Sequence, residues 1–156
     1  MCSSGTTDRV KAIIKPHSQL LANISPVLLK SYEHPVVVFA SPASFYWVST
    51  IYSFMYTMLF GFKIITTNQL FSPEHYMDLI ERHQVTFTNA YPMIFQQIKM
   101  SKSFRPLPSV RYLIIGGSPI TENFVEKIPS LYPNAIIRSC YAATECDFVT
   151  LKYKNS

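Results

Sequence analysis

The run Cys2-Ser3-Ser4-Gly5-Thr6-Thr7-Asp8-Arg9-Val10-Lys11 sets hydroxyl side chains on both sides of one glycine and brings a lysine six residues after it. Short hydroxylated residues let the backbone curl until successive N–H groups face a common point, which is how a nest for phosphate oxygens is made. Lys11 would add a mobile positive charge. The spacing differs from a Walker loop, since no second glycine precedes the lysine and no Ser or Thr follows it. The same residue types near a terminus also make a solvated end. Met1 stands directly before the run, which leaves no room for a strand to aim the nest.

Two further segments could act on a nucleotide. In Gly116-Gly117-Ser118-Pro119 a double glycine lets the backbone lie against a flat ring with no β-carbon in the way. In Tyr141-Ala142-Ala143-Thr144-Glu145 the tyrosine can stack on such a ring, the threonine can bond a phosphate oxygen, and the carboxylate can hold a hard cation such as Mg²⁺. Each also has a plain structural use: a turn, a core ring, a surface acid. Cys2, Cys140 and Cys146 are odd in number and follow no zinc or disulfide spacing, which suits reduced thiols inside a cell.

These residues need a scaffold, and the chain reads as alternating strands and helices. Leu20, Leu21, Ile24, Val27 and Leu28 recur at helical spacing, so a helix is expected over Gln19 to Leu29 with His17 or Ser18 near its start. Val36 to Ala40 is a continuously apolar, β-branched run of the kind covered on both faces in a parallel sheet. Gly61 to Ile65 reads as a second strand. Ser72-Pro73-Glu74 combines a cap, a first-turn proline and an early acid, and starts a helix through Arg82 with Tyr76, Leu79 and Ile80 inward.

Val85 to Thr88 then reads as a strand, Tyr91-Pro92 opens a helix to about Met100, and Ser101 to Ser109 is a loop. Tyr112 to Ile115 is another buried strand. Thr121-Glu122 starts a helix with Phe124, Val125 and Ile128 on one face, and Ala135 to Ile137 supplies the next strand. This alternation predicts an α/β fold with a mainly parallel sheet and helices on both faces. Ligands of such sheets bind at the carboxyl ends of the strands, where Gly116 to Pro119 and Tyr141 to Glu145 fall.

With 156 residues and 48% apolar content the chain can build one real core. A net charge of +5 is spread without a basic block, which argues against a nucleic-acid partner. No secretory leader is evident at the start. Ser44 to Phe62 has no charged residue and is rich in aromatics, so its length approaches a membrane span. Its five Ser and Thr residues and the strands on both sides favour a buried helix.

In this order the segments resemble the adenylate-forming (AMP-binding) superfamily: acyl-CoA synthetases, coumarate-CoA-ligase-like enzymes and the luciferase-like branch. Cys2 to Lys11 looks like the family's Ser-Gly-Thr-Thr loop, and His17 to Leu20 like its His-x-Asn-Leu helix start. Gly61-Phe62-Lys63 matches a turn into a strand, Gly116 to Pro119 resembles Gly-Gly-Ala-Pro, and Tyr141 to Glu145 resembles Tyr-Gly-x-Thr-Glu. The resemblance implies a ligase that joins a small-molecule carboxylic acid to AMP at the expense of ATP and passes the acyl group to a thiol such as coenzyme A.

Carried onto this chain, it gives Ser3, Ser4, Gly5, Thr6, Thr7 and Lys11 the β- and γ-phosphates of ATP. Gly116, Gly117 and Ser118 would line the adenine and acyl pockets, Tyr141 would stack on adenine, Thr144 would contact the α-phosphate and Glu145 would ligate Mg²⁺. Lys11 and Thr144 would be catalytic, and Tyr46 and Trp47, with Gly117 and the adjoining Phe45, would wall the acyl pocket. Asp8, Val10 and Ala12 stand where the family has Gly, Pro and Gly, and Phe45-Tyr46-Trp47 where it often has a histidine. The resemblance makes residues 1–156 a central fragment of an adenylation domain, without the family's later ribose-binding aspartate or its lysine-bearing C-terminal domain, and therefore inactive alone. It places the protein inside the cell, in cytoplasm or peroxisome. Two other readings remain open: a degenerate nucleotide-binding remnant, and a membrane-associated protein using residues 44–62.

Overall fold

The computed structural model describes residues 2–3, 11–22, 37–144 and 147–154, with the backbone alone described for 2–3, 11 and 147–154. Two short strands, β1 (Cys2–Ser3) and β2 (Lys11–Ala12), pair antiparallel with Cys2 opposite Ala12 and Ser3 opposite Lys11. Both strands lie at the ends of the Cys2–Lys11 run and bracket its loop. Helix α1 covers His17–Ala22; the rest of the expected helix, to Leu29, lies outside the described residues.

The main sheet is built from β3 (Val38–Ala40), β4 (Lys63–Ile65), β5 (Phe87–Ala90), β6 (Tyr112–Ile115), β7 (Ile136–Ala143) and β8 (Asp147–Lys154), in the order β4-β3-β5-β6-β7-β8. The first five are parallel and β8 closes one edge antiparallel to β7. Helices cover both faces, as the alternation predicts. On one face α3 (Pro73–Arg82), α4 (Pro92–Met100) and α5 (Glu122–Lys127) bury Met77, Ile80, Phe95, Ile98 and Phe124 against Val38, Ala40, Leu113 and Ile115. On the other, α2 (Val48–Phe60) reaches the sheet through the contact of Ser53 with Asn89, beside a smaller cluster of Val37, Phe39, Phe87 and Tyr112.

The helix starts follow their caps. Ser72 accepts a hydrogen bond from the His75 N–H, and Thr121 does the same for Phe124, so two orphan helix-end donors are satisfied by side chains. Within the core, Thr88 donates to the Ala40 carbonyl at 2.8 Å, which commits its only proton. Tyr76 must therefore donate to Thr88 (2.8 Å), and Tyr132 to Tyr76 (3.2 Å). The chain of hydroxyls ties α3 to the centre of the sheet. Burial pushes the Tyr76 phenol up to about 12, so it stays a neutral donor.

Three expectations are corrected. Strand β5 begins two residues later than the Val85–Thr88 run, because Val85 is used in closing α3: its N–H bonds the Ile80 carbonyl. Strand β7 runs well past Ile137, since it has hydrogen-bonding partners on both sides. Helix α2 is not buried all round. Its inward residues are Thr50, Tyr52, Ser53, Tyr56 and Thr57, while Met58, Leu59 and Phe60 are exposed. The hydroxyls tolerate this because they bond back to the helix, Ser53 to the Ser49 carbonyl and Thr57 to that of Phe54. Helix α2 has 13 residues. That is shorter than the roughly 20 a bilayer crossing needs. Among the described residues no helix is long and apolar enough to cross a membrane.

Candidate functional site

The sheet's carboxyl edge holds two of the sequence's nucleotide-like segments side by side, the turn after β6 and the end of β7. Gly116 and Gly117 follow β6 directly, and Gly117 has a φ of 79°, a backbone state that only glycine adopts without strain. A β-carbon on Gly116 would lie 2.7 Å from the Cys140 carbonyl oxygen, so the turn after β6 lies hard against β7. The last β6–β7 partners are Ile115 and Ser139, and beyond them β7 runs on through Tyr141 to Ala143 paired only with β8. Tyr141 and the turn residue Thr144 therefore project past the edge beside the double glycine. Tyr141 is 66% exposed, and Thr144 is partly buried.

Beside them opens a cavity of about 680 Å³. Its walls are the β3–α2 connection (41–45) with Trp47 and Thr50, the end of β4 and the stretch after it (64–72), and His75, Tyr76 and Leu79 of α3. Tyr91, Met93, Ile94, Gly117, Ser118 and the side of Phe39 complete it. The volume is that of a site for a small organic molecule, and most of the lining is aromatic or aliphatic. Among its polar groups, Thr67 Oγ1 and His75 Nε2 are 3.1 Å apart and Ser41 and Thr50 share a 3.2 Å hydrogen bond.

Tyr91 holds the middle of this edge. Its hydroxyl shares a 2.7 Å hydrogen bond with Ser49 at the start of α2, and its ring centroid lies 6.3 Å from that of Trp47. A β-carbon on Gly117 would come to 2.9 Å from the ring's Cδ1. Burial raises the phenol's pKa, against the pull of hydrogen bonds with Ser49, Asn89 and Ser41, so the group is neutral at physiological pH. Cys140, beneath the double glycine, is pushed up to about 11 by burial and is an unreactive thiol.

The expected residues divide as follows. Gly117 and Ser118 line the cavity and Gly116 packs beside them, while Tyr141 and Thr144 share their edge. Trp47 and Phe45 line the cavity; Tyr46 points elsewhere, with 89% of its surface exposed and no part in the lining. The backbone of Ser3 and Lys11 brackets the front loop, but Ser4, Gly5, Thr6, Thr7 and Glu145 lie outside the described residues. Among the described residues no group of three or more His, Cys, Asp or Glu side chains could hold a metal ion. Sequence reasoning missed Tyr91 and His75. Tyr91 carried a faint signal, a bulky ring directly after a strand and before a helix-starting proline.

The chain resembles known proteins over nearly its whole length. The profile of a family described as AMP-binding enzyme matches residues 1–155. The chain is 28% identical to malpinin synthetase of Mortierella alpina over 99% of its own length and 2% of that protein. It is 27% identical to 4-coumarate–CoA ligase 1 of Oryza sativa subsp. japonica over 92% of its length and 26% of the ligase. The chain thus spans a minor part of the curated relatives it matches. Among solved structures, o-succinylbenzoate CoA synthetase of Bacillus subtilis with an acyl-adenylate intermediate superposes with a TM-score of 0.80 at 19% identity, over 98% of this chain and 31% of that one. The inhibitor-bound N-terminal domain of FACL13 from Mycobacterium tuberculosis gives 0.79 at 24% identity, over 97% and 38%. At such identities the likeness is one of fold.

Proposed function

The chain belongs to the AMP-binding enzyme family, and on that premise we propose that it forms part of the nucleotide- and acid-binding face of an ATP-dependent carboxylic acid ligase. The observation that carries this reading is the packing of Gly116 against β7 where Tyr141 and Thr144 project, beside an apolar cavity that Gly117 and Ser118 line. A flat base and an organic acid then find adjoining surfaces.

In the proposed reaction a carboxylate oxygen attacks the α-phosphorus of ATP, an O–P bond forms, and pyrophosphate leaves. The mixed anhydride is then attacked at its acyl carbon by a thiol such as that of coenzyme A, and AMP departs. One anion must approach another in the first step, so fixed donors aimed at the phosphate oxygens supply most of the stabilisation. Ser3, Ser4, Gly5, Thr6, Thr7 and Lys11 are the groups proposed for the β- and γ-phosphates, with Thr144 at the α-phosphate and Tyr141 against adenine. Lys11 and Thr144 are the proposed catalytic pair. Glu145 is the proposed ligand of Mg²⁺, which would screen phosphate charge when bound. One carboxylate beside phosphate oxygens is an ordinary donor set for that ion.

Trp47, Phe45 and Gly117 face the acyl group in this reading. An intracellular setting, cytoplasmic or peroxisomal, accompanies the proposal. The test is calorimetric titration of the chain with a stable acyl-sulfamate analogue of an acyl-adenylate. Saturable binding that ATP competes away, and that Thr144→Ala weakens about tenfold, as loss of a hydrogen bond to a charged group does, supports the reading. Absence of saturable binding by ATP and by the analogue overturns it.

A further inference from the structure

Helix α2 begins without a cap of its own. The residue at its cap position is Trp47, whose side chain makes no capping bond, and the first turn carries no acid. An indole offers a donor and no acceptor, so it cannot take up the free N–H groups of a helix start. Helices α3 and α5 have Ser72 and Thr121 for that purpose. The first turn of α2 is held from the side instead. Thr50 gives its one proton to the Ala43 carbonyl at 3.3 Å, so Ser41 must donate in its 3.2 Å bond with Thr50, and Ser41 accepts the Ala43 N–H at 3.2 Å. These bonds tie the turn to its own leading connection. One residue earlier, the 2.7 Å bond between Ser49 and the Tyr91 hydroxyl ties it across to the end of β5. Tyr91 is a firm anchor, since its carbonyl accepts the Phe95 N–H at 2.9 Å as α4 begins and its ring rests where Gly117 leaves no room for a β-carbon. The next tie between α2 and the sheet, from Asn89 to Ser53, comes a full turn later.

We propose that the Tyr91 hydroxyl is a positioning group: it stands in for the missing cap, fixes the first turn of α2 through Ser49, and so keeps Trp47 and Phe45 in place for an acid to bind. The acid comes from the ligase reading, on which that part rests; the hold on the turn does not depend on it. Trp47 sits where the connection becomes helix, with its ring centroid 6.3 Å from that of Tyr91, and Phe45 packs edge-on against Phe54 of the same helix. Both cavity residues therefore follow the start of α2. The ring of Tyr91, and not its hydroxyl, meets Gly117. Loss of the hydroxyl alone should thus loosen the acid side of the edge and leave the nucleotide side as it was.

Trp47 is the chain's single tryptophan, so acrylamide quenching of its fluorescence in the full chain reads the turn directly. Tyr91→Phe and Ser49→Ala should each raise the quenching constant, by up to about 1.7-fold if local opening takes the indole from 58% to full exposure. The double variant should quench no more than either single one, as two ends of one bond require. Tyr132→Phe removes a different buried phenol, the one that donates to Tyr76; it controls for lost stability and should leave the quenching unchanged. In calorimetric titration Tyr91→Phe should bind a phenylpropanoyl acyl-sulfamate analogue about three- to tenfold more weakly, the worth of one hydrogen bond, with ATP affinity within about twofold of the unaltered chain's. Unchanged quenching in both Tyr91→Phe and Ser49→Ala overturns the proposal. So does raised quenching with the analogue bound as tightly as before, or with ATP weakened as much as the analogue. If the unaltered chain binds neither ATP nor the analogue, the ligase reading falls and the role toward an acid falls with it, while the quenching series still decides whether Tyr91 holds the turn.

Discussion

Gly117→Ala tests the geometry at the centre of the candidate site, because two separable penalties meet there. The first is conformational, since φ at this position is 79°. A left-handed backbone costs an alanine about 1–2 kcal/mol. The second is steric: the new β-carbon would lie 2.9 Å from Cδ1 of Tyr91, and that ring cannot swing away without stretching its bond to Ser49. Overpacking of this kind costs about 1–3 kcal/mol, so the substitution should destabilise the chain by roughly 2–5 kcal/mol in all. Gly61 gives the internal control, with a φ of 68° and nothing within 4 Å of the point a β-carbon would occupy. Gly61→Ala should therefore cost only the conformational part, about 1–2 kcal/mol. Urea unfolding followed by circular dichroism would measure both. In a Tyr91→Ala background the steric part vanishes, and Gly117→Ala should cost no more than Gly61→Ala does. A cost for Gly117→Ala that is the same with and without the Tyr91 ring would refute the claim that ring and glycine are packed against each other.

Other consequences are simpler. Ser72 and Thr121 each supply a capping oxygen. Ser72→Ala and Thr121→Ala should each cost about 1 kcal/mol in the same unfolding assay; a loss near zero at both positions would mean the caps are idle. Arg105 donates to Glu81 at 2.8 Å and to Asp78 at 2.6 Å, bridging the loop after α4 to α3, and its hydrogen bond holds the Glu81 carboxyl below the usual range. A depressed carboxylate stabilises the fold above its unfolded value of about 4.3 and loses that contribution as pH falls through the lower folded value. Arg105→Ala should therefore lower stability by at most about 1 kcal/mol near neutral pH, the pair being largely exposed, and by progressively less as the solution is made more acidic than that unfolded value; a pH-independent cost would count against the ion pair. Cys140, with its thiol pushed up to about 11 by burial, should resist alkylation at mildly basic pH until denaturant is added, as read by peptide mass mapping. Rapid labelling in the absence of denaturant would contradict its place beneath Gly116.

How far the chain could be read in advance depended on whether a local signal had a competitor. Helices α3 and α5 begin where Ser72 and Thr121 say, because a cap acts within one turn and nothing distant overrides it. Strands fared less evenly, since a β-branched run reports suitability and pairing decides use. Val85 looks like strand and is taken by the end of α3, while Asn89 and Ala90, poor strand formers, are drawn into β5 by partners Ile114 and Ile115. Strand β8 was not anticipated, although Val149, Leu151 and Tyr153 alternate with Thr150, Lys152 and Lys154 at the period of a strand.

The candidate site was legible in its glycines and not in its walls, and the reason is physical. One glycine of the pair adopts a positive φ and the other admits a carbonyl oxygen to 2.7 Å of where a β-carbon would be. Backbone geometry requires both, so their positions survive in the sequence as a recognisable pair. A cavity wall is a product of tertiary packing. Tyr46 and Trp47 are neighbours in the chain, yet the turn before α2 sends one to solvent and the other to the cavity, and no local pattern separates them. Tyr91 is the stronger case: its importance comes from Ser49, Trp47 and Gly117, which are remote from it along the chain and meet it only in the folded molecule. Positions that the backbone dictates can thus be found from sequence, whereas a residue whose contacts are all tertiary, as those of Tyr91 are, emerges only in three dimensions.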